Sequence, residues 1–134
     1  MDDQRSARHR LRIARPVSDL EASTQFYEQI VGLVYVGGFE GHAGYSGAFL
    51  GPVGADWHFE LTYHESRKPK PSPTHEDLIV LYLSAERRRW LRERIDGAGI
   101  ALIDHPNPYW AANDALVFAD PDGYLIVAAP ERND

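Results

Sequence analysis

An internal repeat constrains the fold of this chain more than any other feature of its sequence. When the first half is shifted by 66 positions, Ile13 lies on Ile79, Val17 on Leu83 and Ser18 on Ser84. In both halves an extended apolar run leads into a segment whose apolar residues recur at helical spacing. Self-similarity of this kind is typical of a duplicated supersecondary unit, so the sequence predicts two copies of one structural module.

The helix of each half has a predicted start and a predicted end. In the first half, Ser18 and Glu21 have the spacing of a capping box, which predicts that the helix starts at Ser18 and ends at Gly32. In the second half, Ser84 is the predicted cap. The buried stripe and the stop signals of that second helix are Trp90, Leu91, Ile95, Gly97 and Gly99.

Three short strands are expected after each helix. In the first half they are "LVYVGG", "YSGAFLG" and "WHFELTY", and in the second half "IALI", "ALVFAD" and "YLIVAA". The proline-rich stretch 65–76, "ESRKPKPSPTHE", is typical of an exposed connection. We therefore expect one domain over 1–134, with a βαβββ module at about 9–64, a linker at about 65–76 and a second module at about 77–130.

Composition excludes several classes of partner and site. The net charge of −6 disfavours nucleic acid, and no run of about 18 apolar residues is present to span a membrane. The chain has no cysteine, which excludes thiolate metal sites and cysteine nucleophiles. The first ten residues, "MDDQRSARHR", contain no apolar core of a secretory signal, so a cytoplasmic location is expected.

Three stretches of the sequence carry a resemblance to a known superfamily. They are "RPVSDLEASTQFYEQIVGL", "FADPDGYLIV" and "ELTYH". Together with the tandem modules they resemble the vicinal oxygen chelate superfamily, which includes glyoxalase I, extradiol dioxygenases, fosfomycin-resistance enzymes and bleomycin-resistance proteins. The resemblance implies an α+β fold in which two tandem βαβββ modules form one incompletely closed barrel, with the helices outside and a cup inside.

The resemblance also implies where a metal would lie in metal-dependent members. The four ligand positions fall on Arg12, Glu60, Leu78 and Val127. Arginine carries a permanent cation and the two aliphatic residues have no donor atom, so three of the four positions do not bind a metal. We therefore expect neither a metal nor a cofactor. One alternative stays open, an atypical site in which His58 and Glu60 are joined by Asp77 or His75.

Strand parity predicts which side chains line the cup. Arg12 and Glu60 are expected to form an ion pair across it. Arg15 has the parity of the helix-facing side, so either it lies at a rim or the register of its strand is shifted by one residue. The loop "DHPNPYWAAND" is expected to serve as a lid or an interface. The predicted lining is a polar half of Arg12, His58, Glu60 and Thr62, an apolar half of Leu78, Val80, Tyr82, Leu125 and Val127, and the lid residues Tyr109 and Trp110.

A mostly apolar cleft with a few convergent polar groups is typical of a small-molecule site. The preferred hypothesis is a metal-independent binding protein for a small organic molecule that acts as a homodimer. The second is a lyase, isomerase or dioxygenase that uses Glu60 as a catalytic base or as part of the atypical metal site. The third is a homodimeric structural module with a vestigial cup. The arginines of the second helix are interpreted as a solvated face: Arg87, Arg88, Arg89, Arg92 and Arg94.

Overall fold

The computed structural model describes residues 9–131. The strands in chain order are β1 Leu11–Pro16, β2 Val34–His42, β3 Tyr45–Gly51, β4 Trp57–His64, β5 Leu78–Leu83, β6 Leu116–Ala119 and β7 Leu125–Pro130. The helices are α1 Leu20–Phe26, which continues through a π-helical turn at Tyr27–Val31, then α2 Ala85–Gly97 and the short α3 Tyr109–Ala112. Within 9–131 none of the helices has the length and apolar character needed to cross a membrane.

The strands form two sheets whose orders reflect the predicted repeat. The first sheet has the order β1-β4-β3-β2 and the second has the order β5-β7-β6. In each sheet the first strand of the module pairs in parallel with the last one, and that last strand pairs antiparallel with its predecessor. The two βαβββ-like modules of the sequence prediction are therefore confirmed.

One predicted strand does not form. The segment "IALI", residues 100–103, has no strand structure, and a single backbone hydrogen bond of 2.8 Å from Ile103 N to Val117 O marks its place beside β6. The chain then leaves the sheet edge to reach α3, which lies near β6. The second sheet consequently has three strands where the first has four.

The helices of both modules share one hydrophobic core on the same side of the two sheets. Tyr27 and Val31 of the first module pack in one cluster with Leu91 and Ile95 of α2. The sheet residues of that cluster include Phe59, Leu61, Phe118 and Ile126. A core that draws on both modules and both sheets fixes the orientation of one module relative to the other.

The helix starts agree with the sequence prediction in α2 and differ by one residue in α1. The Ser84 hydroxyl accepts from Arg87 N, as predicted. In α1 the cap is Asp19, whose carboxylate accepts from Ala22 N at 3.0 Å, so the prediction of Ser18 as the cap is wrong. Ser18 is occupied elsewhere, because both its amide and its hydroxyl donate to the carboxylate of Asp122.

The Asp-Pro-Asp-Gly turn after β6 therefore joins the modules in addition to closing a hairpin. Asp122 binds Ser18 at the start of α1, and Asp120 Oδ2 accepts the Tyr27 hydroxyl at 2.6 Å. Arg15 reaches the same place, with Nη1 at 4.0 Å from Asp120 Oδ2 and the guanidinium 3.9 Å from the centre of the Tyr124 ring. The register of β1 is thus as predicted, and Arg15 lies on the helix side of the sheet.

The arginines of α2 form a second connection between the modules, so the interpretation of them as a solvated face holds only in part. Arg87 Nη2 donates to Gly32 O and Arg94 Nε donates to Gln29 O, both at 2.9 Å. These carbonyls lie at the C-terminal end of the first helix, where positive charge is stabilising. Both guanidinium groups also lie over the ring of Trp90, at 4.1 and 5.1 Å.

Candidate ligand-binding site

The polar residues predicted for the cup share one face of the first sheet. His58, Glu60 and Thr62 alternate along β4, so their side chains point to the same side. The parallel register with β1 places Arg12 beside His58, and the antiparallel register with β3 places Phe49 beside Glu60. We call this surface, made of Arg12, Phe49, His58, Glu60 and Thr62, the polar face.

The predicted ion pair between Arg12 and Glu60 does not form, and that prediction is wrong. The guanidinium of Arg12 lies over the ring of Phe49, with its central carbon 4.5 Å from the ring centre. The register accounts for the difference, because the neighbour of Glu60 on β1 is Ala14, whereas Arg12 pairs with His58. Arg12 is exposed on the edge strand β1, and its guanidinium makes a cation–π contact with Phe49 in place of an ion pair with Glu60.

Glu60 is the most unusual residue of the polar face. Its exposed fraction is 9%, and within residues 9–131 no side chain or amide gives its carboxylate a hydrogen bond or an ion pair. Neither carboxylate oxygen is among the side-chain atoms of residues 9–131 that are buried without a hydrogen-bond partner, so the carboxylate keeps contact with solvent. The polar face therefore offers a hydrogen-bond acceptor to a molecule from outside the chain.

The two histidines of β4 have different surroundings. His58 lies on the polar face against Phe49, with ring centres 6.5 Å apart. His64, at the strand end, accepts the amides of Ser66 and Arg67 on Nδ1, both at 3.1 Å, and packs edge-on against Tyr45. His64 thus holds the turn after β4, and His58 is the histidine available at the site.

The corresponding face of the second sheet is filled by the chain itself. Leu125 and Val127 form a cluster with Val117, against which Leu78, Val80, Ile103 and Trp110 pack. Val127 has an exposed fraction of 0%. Val127 is therefore closed to a ligand, whereas Leu78 and Val80 on the edge strand β5 are partly exposed.

The lid residues lie at the far end of this covered face. Tyr109 and Trp110 stack edge-on, 5.0 Å apart, in the one-turn helix α3. Together with Tyr82 they line a cavity of about 190 Å³, and the indole Nε1 of Trp110 is buried without a hydrogen-bond partner among the described residues. The structure thus brings Tyr82, Tyr109 and Trp110 together in a cavity that no residue of the polar face lines.

The residues present do not fit a metal ion of the superfamily type. Arg12, Leu78 and Val127 stand at three of its four positions, and residues 9–131 contain no group of three or more His, Asp or Glu side chains arranged to hold an ion. Asp77, the third ligand of the atypical alternative, accepts the amide and the hydroxyl of Thr74 at 2.9 Å each. The hydrogen bond from the Thr74 side chain lowers the pKa of Asp77 below its usual value.

His75, the other candidate third ligand, contacts His105 of a different loop. Its carbonyl oxygen lies 2.6 Å from Nε2 of His105, and the two imidazole rings pack edge-on. His105 is buried, and its Nδ1 accepts the amide of Asn107. No spacing pattern predicts a role for His105, because its hydrogen bonds are made with backbone groups.

Comparisons with known proteins agree with this architecture. The chain matches the YycE-like N-terminal domain over residues 11–62 and the YycE-like C-terminal domain over residues 76–129. It is 35% identical over 118 residues to the uncharacterized protein YycE of Bacillus subtilis (strain 168), a match that covers 87% of this chain and 84% of that protein.

Solved structures show the same fold. A YycE protein of unknown function from Bacillus subtilis, for which a glyoxalase or fosfomycin-resistance role has been suggested, superposes with a TM-score of 0.83 at 31% identity, covering 93% and 91% of the two chains. TnmS3, an antibiotic binding protein from Streptomyces sp. CB03234, superposes with a TM-score of 0.67 at 24% identity, covering 95% and 98%. The chain belongs to the YycE-like family and has the glyoxalase/bleomycin-resistance fold of the vicinal oxygen chelate superfamily.

Proposed function

We propose that this protein is a metal-independent small-molecule binding protein that holds its ligand in a cup between the two modules. The observation that carries the proposal is Glu60, a largely buried residue whose carboxylate reaches solvent and has no donor among residues 9–131. A ligand that brings a hydroxyl, an amide or a protonated amine can donate to this carboxylate, and hydrogen bonds to an ionised acceptor are the stronger ones. The antibiotic-binding relative TnmS3 supports a binding role for a protein of this fold.

The groups around Glu60 define the rest of the ligand. Phe49 and His58 offer ring surfaces beside the carboxylate, and Thr62 offers a hydroxyl on the same face. Leu78, which is partly exposed on β5, belongs to the rim, whereas Tyr82, Tyr109 and Trp110 line a separate cavity. The proposed ligand is therefore an aromatic organic molecule with a hydrogen-bond donor or cation at one end.

Metal independence is proposed from the chemistry of the four superfamily positions. The charge of Arg12 and the aliphatic side chains of Leu78 and Val127 leave Glu60 as one isolated acid, and one acid does not hold a catalytic divalent ion. Elemental analysis of protein purified without added metal or chelator checks this directly. We expect less than about one tenth of an equivalent of any first-row transition metal per chain, and ligand binding that excess chelator does not change.

Three aromatic probes of similar size test the binding role: phenethylamine, 2-phenylethanol and phenylacetate. We expect phenethylamine to bind most tightly and phenylacetate most weakly, because Glu60 accepts a donor and repels an anion. Amide signals of β3 and β4 in ¹H–¹⁵N spectra should shift during the titration. In Glu60→Gln the preference for the amine should disappear, whereas Glu65→Gln, at an exposed acid just beyond β4, should keep it.

The opposite result would show that the polar face does not bind ligands through its acid. If phenylacetate bound most tightly, or if Glu60→Gln and Glu65→Gln changed the titration equally, the proposal would fail. Shifts confined to other parts of the chain would count against it in the same way.

We further propose that the protein is a homodimer. Leu11 and Ile13 of the edge strand β1 have exposed fractions of 57% and 53%, which is high for large aliphatic side chains on a strand. A second copy that covered them would add apolar core to a small chain. Sedimentation velocity at micromolar concentration should show twice the chain mass, and a monomer would contradict the proposal.

A further inference from the structure

Three aromatic side chains and one acid line the cavity of about 190 Å³ beside α3, and we call this cavity the aromatic pocket. Its lining includes Tyr82 of β5, Tyr109 and Trp110 of α3, Asn113, and Glu131 directly after β7. No residue of the polar face and no residue of β1 is among its lining residues. The aromatic pocket is therefore distinct from the site around Glu60 and from the exposed edge of β1.

Backbone hydrogen bonds bring the walls of the aromatic pocket together. The amide of Glu131 donates to Leu83 O at 2.9 Å, which places the acid beside the end of the strand that carries Tyr82. In α3 the main-chain and side-chain nitrogens of Asn113 both donate to Tyr109 O, at 3.1 and 2.8 Å. The one-turn helix and the ends of two strands thus hold the aromatic and acidic residues in one place.

The aromatic side chains of the pocket are accessible to a molecule from solvent. Tyr82 and Tyr109 have exposed fractions of 51% and 42%. The rings of Tyr109 and Trp110 meet at an interplanar angle of 87°, with centres 5.0 Å apart, so their surfaces lie in two nearly perpendicular planes. Trp110 is half-buried because it also packs on the cluster around Val127, which fixes its position.

The chemistry of this lining favours a cation. The face of an aromatic ring carries partial negative charge, and groups of aromatic rings recognise quaternary ammonium ions in other proteins. Among the described residues that line the aromatic pocket, Glu131 is the charged one, and its carboxylate is exposed. A cation gains from both the rings and the carboxylate, whereas an anion is repelled by Glu131.

Size and hydration decide which kind of cation fits best. An apolar cavity of about 150 Å³ in another protein accepts benzene, so the aromatic pocket has room for a trimethylammonium group, whose bulk is similar. A primary ammonium is strongly hydrated and loses hydrogen bonds to water among aromatic rings, whereas a methylated one has few to lose. We propose that the aromatic pocket binds the methylated ammonium group of a small organic cation. This site is separate from Glu60 and does not rest on the function proposed above.

Three probes test the proposal: choline, its uncharged isostere 3,3-dimethylbutan-1-ol, and ethanolamine. The first two have the same shape and differ in charge, and ethanolamine keeps a charge without the methyl groups. We expect choline to bind about tenfold more tightly than 3,3-dimethylbutan-1-ol, in line with a cation–π contact that is partly removed from water, and also more tightly than ethanolamine. The amides of residues 82–83, 109–113 and 129–131 and the indole of Trp110 in ¹H–¹⁵N spectra locate the binding.

Two variants of the full chain sharpen the test, each with a matched control. Tyr82→Leu removes one ring of the aromatic pocket and should lower the affinity for choline about fivefold, whereas Tyr35→Leu, at a tyrosine of 48% exposure outside the pocket, should leave it unchanged. Glu131→Gln removes the carboxylate and should lower the affinity for choline about threefold, with Glu65→Gln as the exposed control. Neither pocket variant should change the binding of 3,3-dimethylbutan-1-ol by as much.

Three results would overturn the proposal. Equal affinity of the wild type for choline and 3,3-dimethylbutan-1-ol would show that the pocket does not recognise charge. Binding of ethanolamine as tight as that of choline would show that it does not recognise the methyl groups. Choline shifts confined to β3 and β4 would place the cation at Glu60, and the aromatic pocket would then have no part in binding it. The probe comparison in the wild type decides the question even if Tyr82→Leu fails to fold.

Discussion

The polar face of the first sheet and the corresponding face of the second sheet have the same strand pattern. They differ in whether other residues of the chain cover them. On the second sheet, Trp110 and Ile103 cover Val127 and its neighbours, so the chain buries its own apolar surface. On the first sheet, Glu60 has no partner from the described residues and Arg12 turns to Phe49. A repeated backbone therefore has one face that the chain closes and one face that it leaves open.

The helix-facing sides of the two sheets differ from these two faces, because on that side each module supplies hydrogen-bond partners to the other. Asp120 and Asp122 of the second module hold Tyr27 and Ser18 of the first, and Arg87 holds the end of the first helix. These contacts join groups far apart in the sequence and fix the sheets relative to each other. The contacts on the helix side therefore fix the positions of the two sheets that carry the open and the closed face.

The largest effect is expected from placing an acid on the closed face. Val127→Glu restores the residue of the superfamily's fourth metal position, at a site with an exposed fraction of 0%. We expect the free energy of unfolding to fall by at least about 3 kcal/mol, because the carboxylate would be buried without a partner beneath Trp110. Urea unfolding followed by circular dichroism measures the change.

A matched change at an exposed valine separates burial from charge. Val53→Glu, at an exposed fraction of 78%, should alter the free energy of unfolding by no more than about 0.5 kcal/mol. A Val127→Glu variant as stable as Val53→Glu would show that the second face is open to water. The contrast between the two faces would then be lost.

A smaller effect is expected at the connection between the modules. Tyr27→Phe removes the hydroxyl that donates to Asp120 and should lower the free energy of unfolding at pH 7 by about 1–3 kcal/mol. Burial raises the pKa of Tyr27 far above its usual value, and the nearby Asp120 carboxylate adds to the rise.

The raised pKa of Tyr27 also predicts how this effect depends on pH. Below the unfolded-state pKa of about 10 both states keep the proton, and the contribution of Tyr27 is fully present. Above that pH the unfolded chain releases the proton while the folded chain keeps it, so the contribution falls as pH rises. The stability gap between wild type and Tyr27→Phe should therefore be smaller at pH 10.5 than at pH 7. Tyr35→Phe, at an exposed tyrosine, is the control, and a gap independent of pH would contradict the assignment.

Most of the fold could be predicted from the sequence because it depends on local signals. Helical spacing, the Ser84 cap and the stop at Gly32 each act within a few residues and were read correctly. The errors have non-local causes. Ser18 has the right sequence for a cap but is bound by Asp122, and the segment 100–103 leaves the sheet to reach α3.

For the candidate site, the sequence predicts which side chains share a face of the sheet, but it does not predict which of them are in contact. Strand parity placed Arg12, His58 and Glu60 on one face, because alternation along a strand is local. It could not show that Arg12 would lie over Phe49, since that contact depends on a third strand. Nor could it show that Arg15 would approach Asp120, which follows from the packing of one module on the other.

The smallest effect on stability is expected from a substitution at Glu60 on the polar face, because its carboxylate makes no hydrogen bond or ion pair with residues 9–131. Glu60→Gln keeps the shape of the side chain and removes an unpaired charge from a largely buried residue, so we expect a free energy of unfolding that is unchanged or higher by up to about 1 kcal/mol. Glu65→Gln is the exposed control and should stay within about 0.5 kcal/mol. A loss of more than about 1 kcal/mol in Glu60→Gln would reveal a partner within the protein. A double-mutant cycle with Arg12→Leu tests the nearest candidate, and we expect a coupling energy below about 0.5 kcal/mol because the guanidinium lies over Phe49.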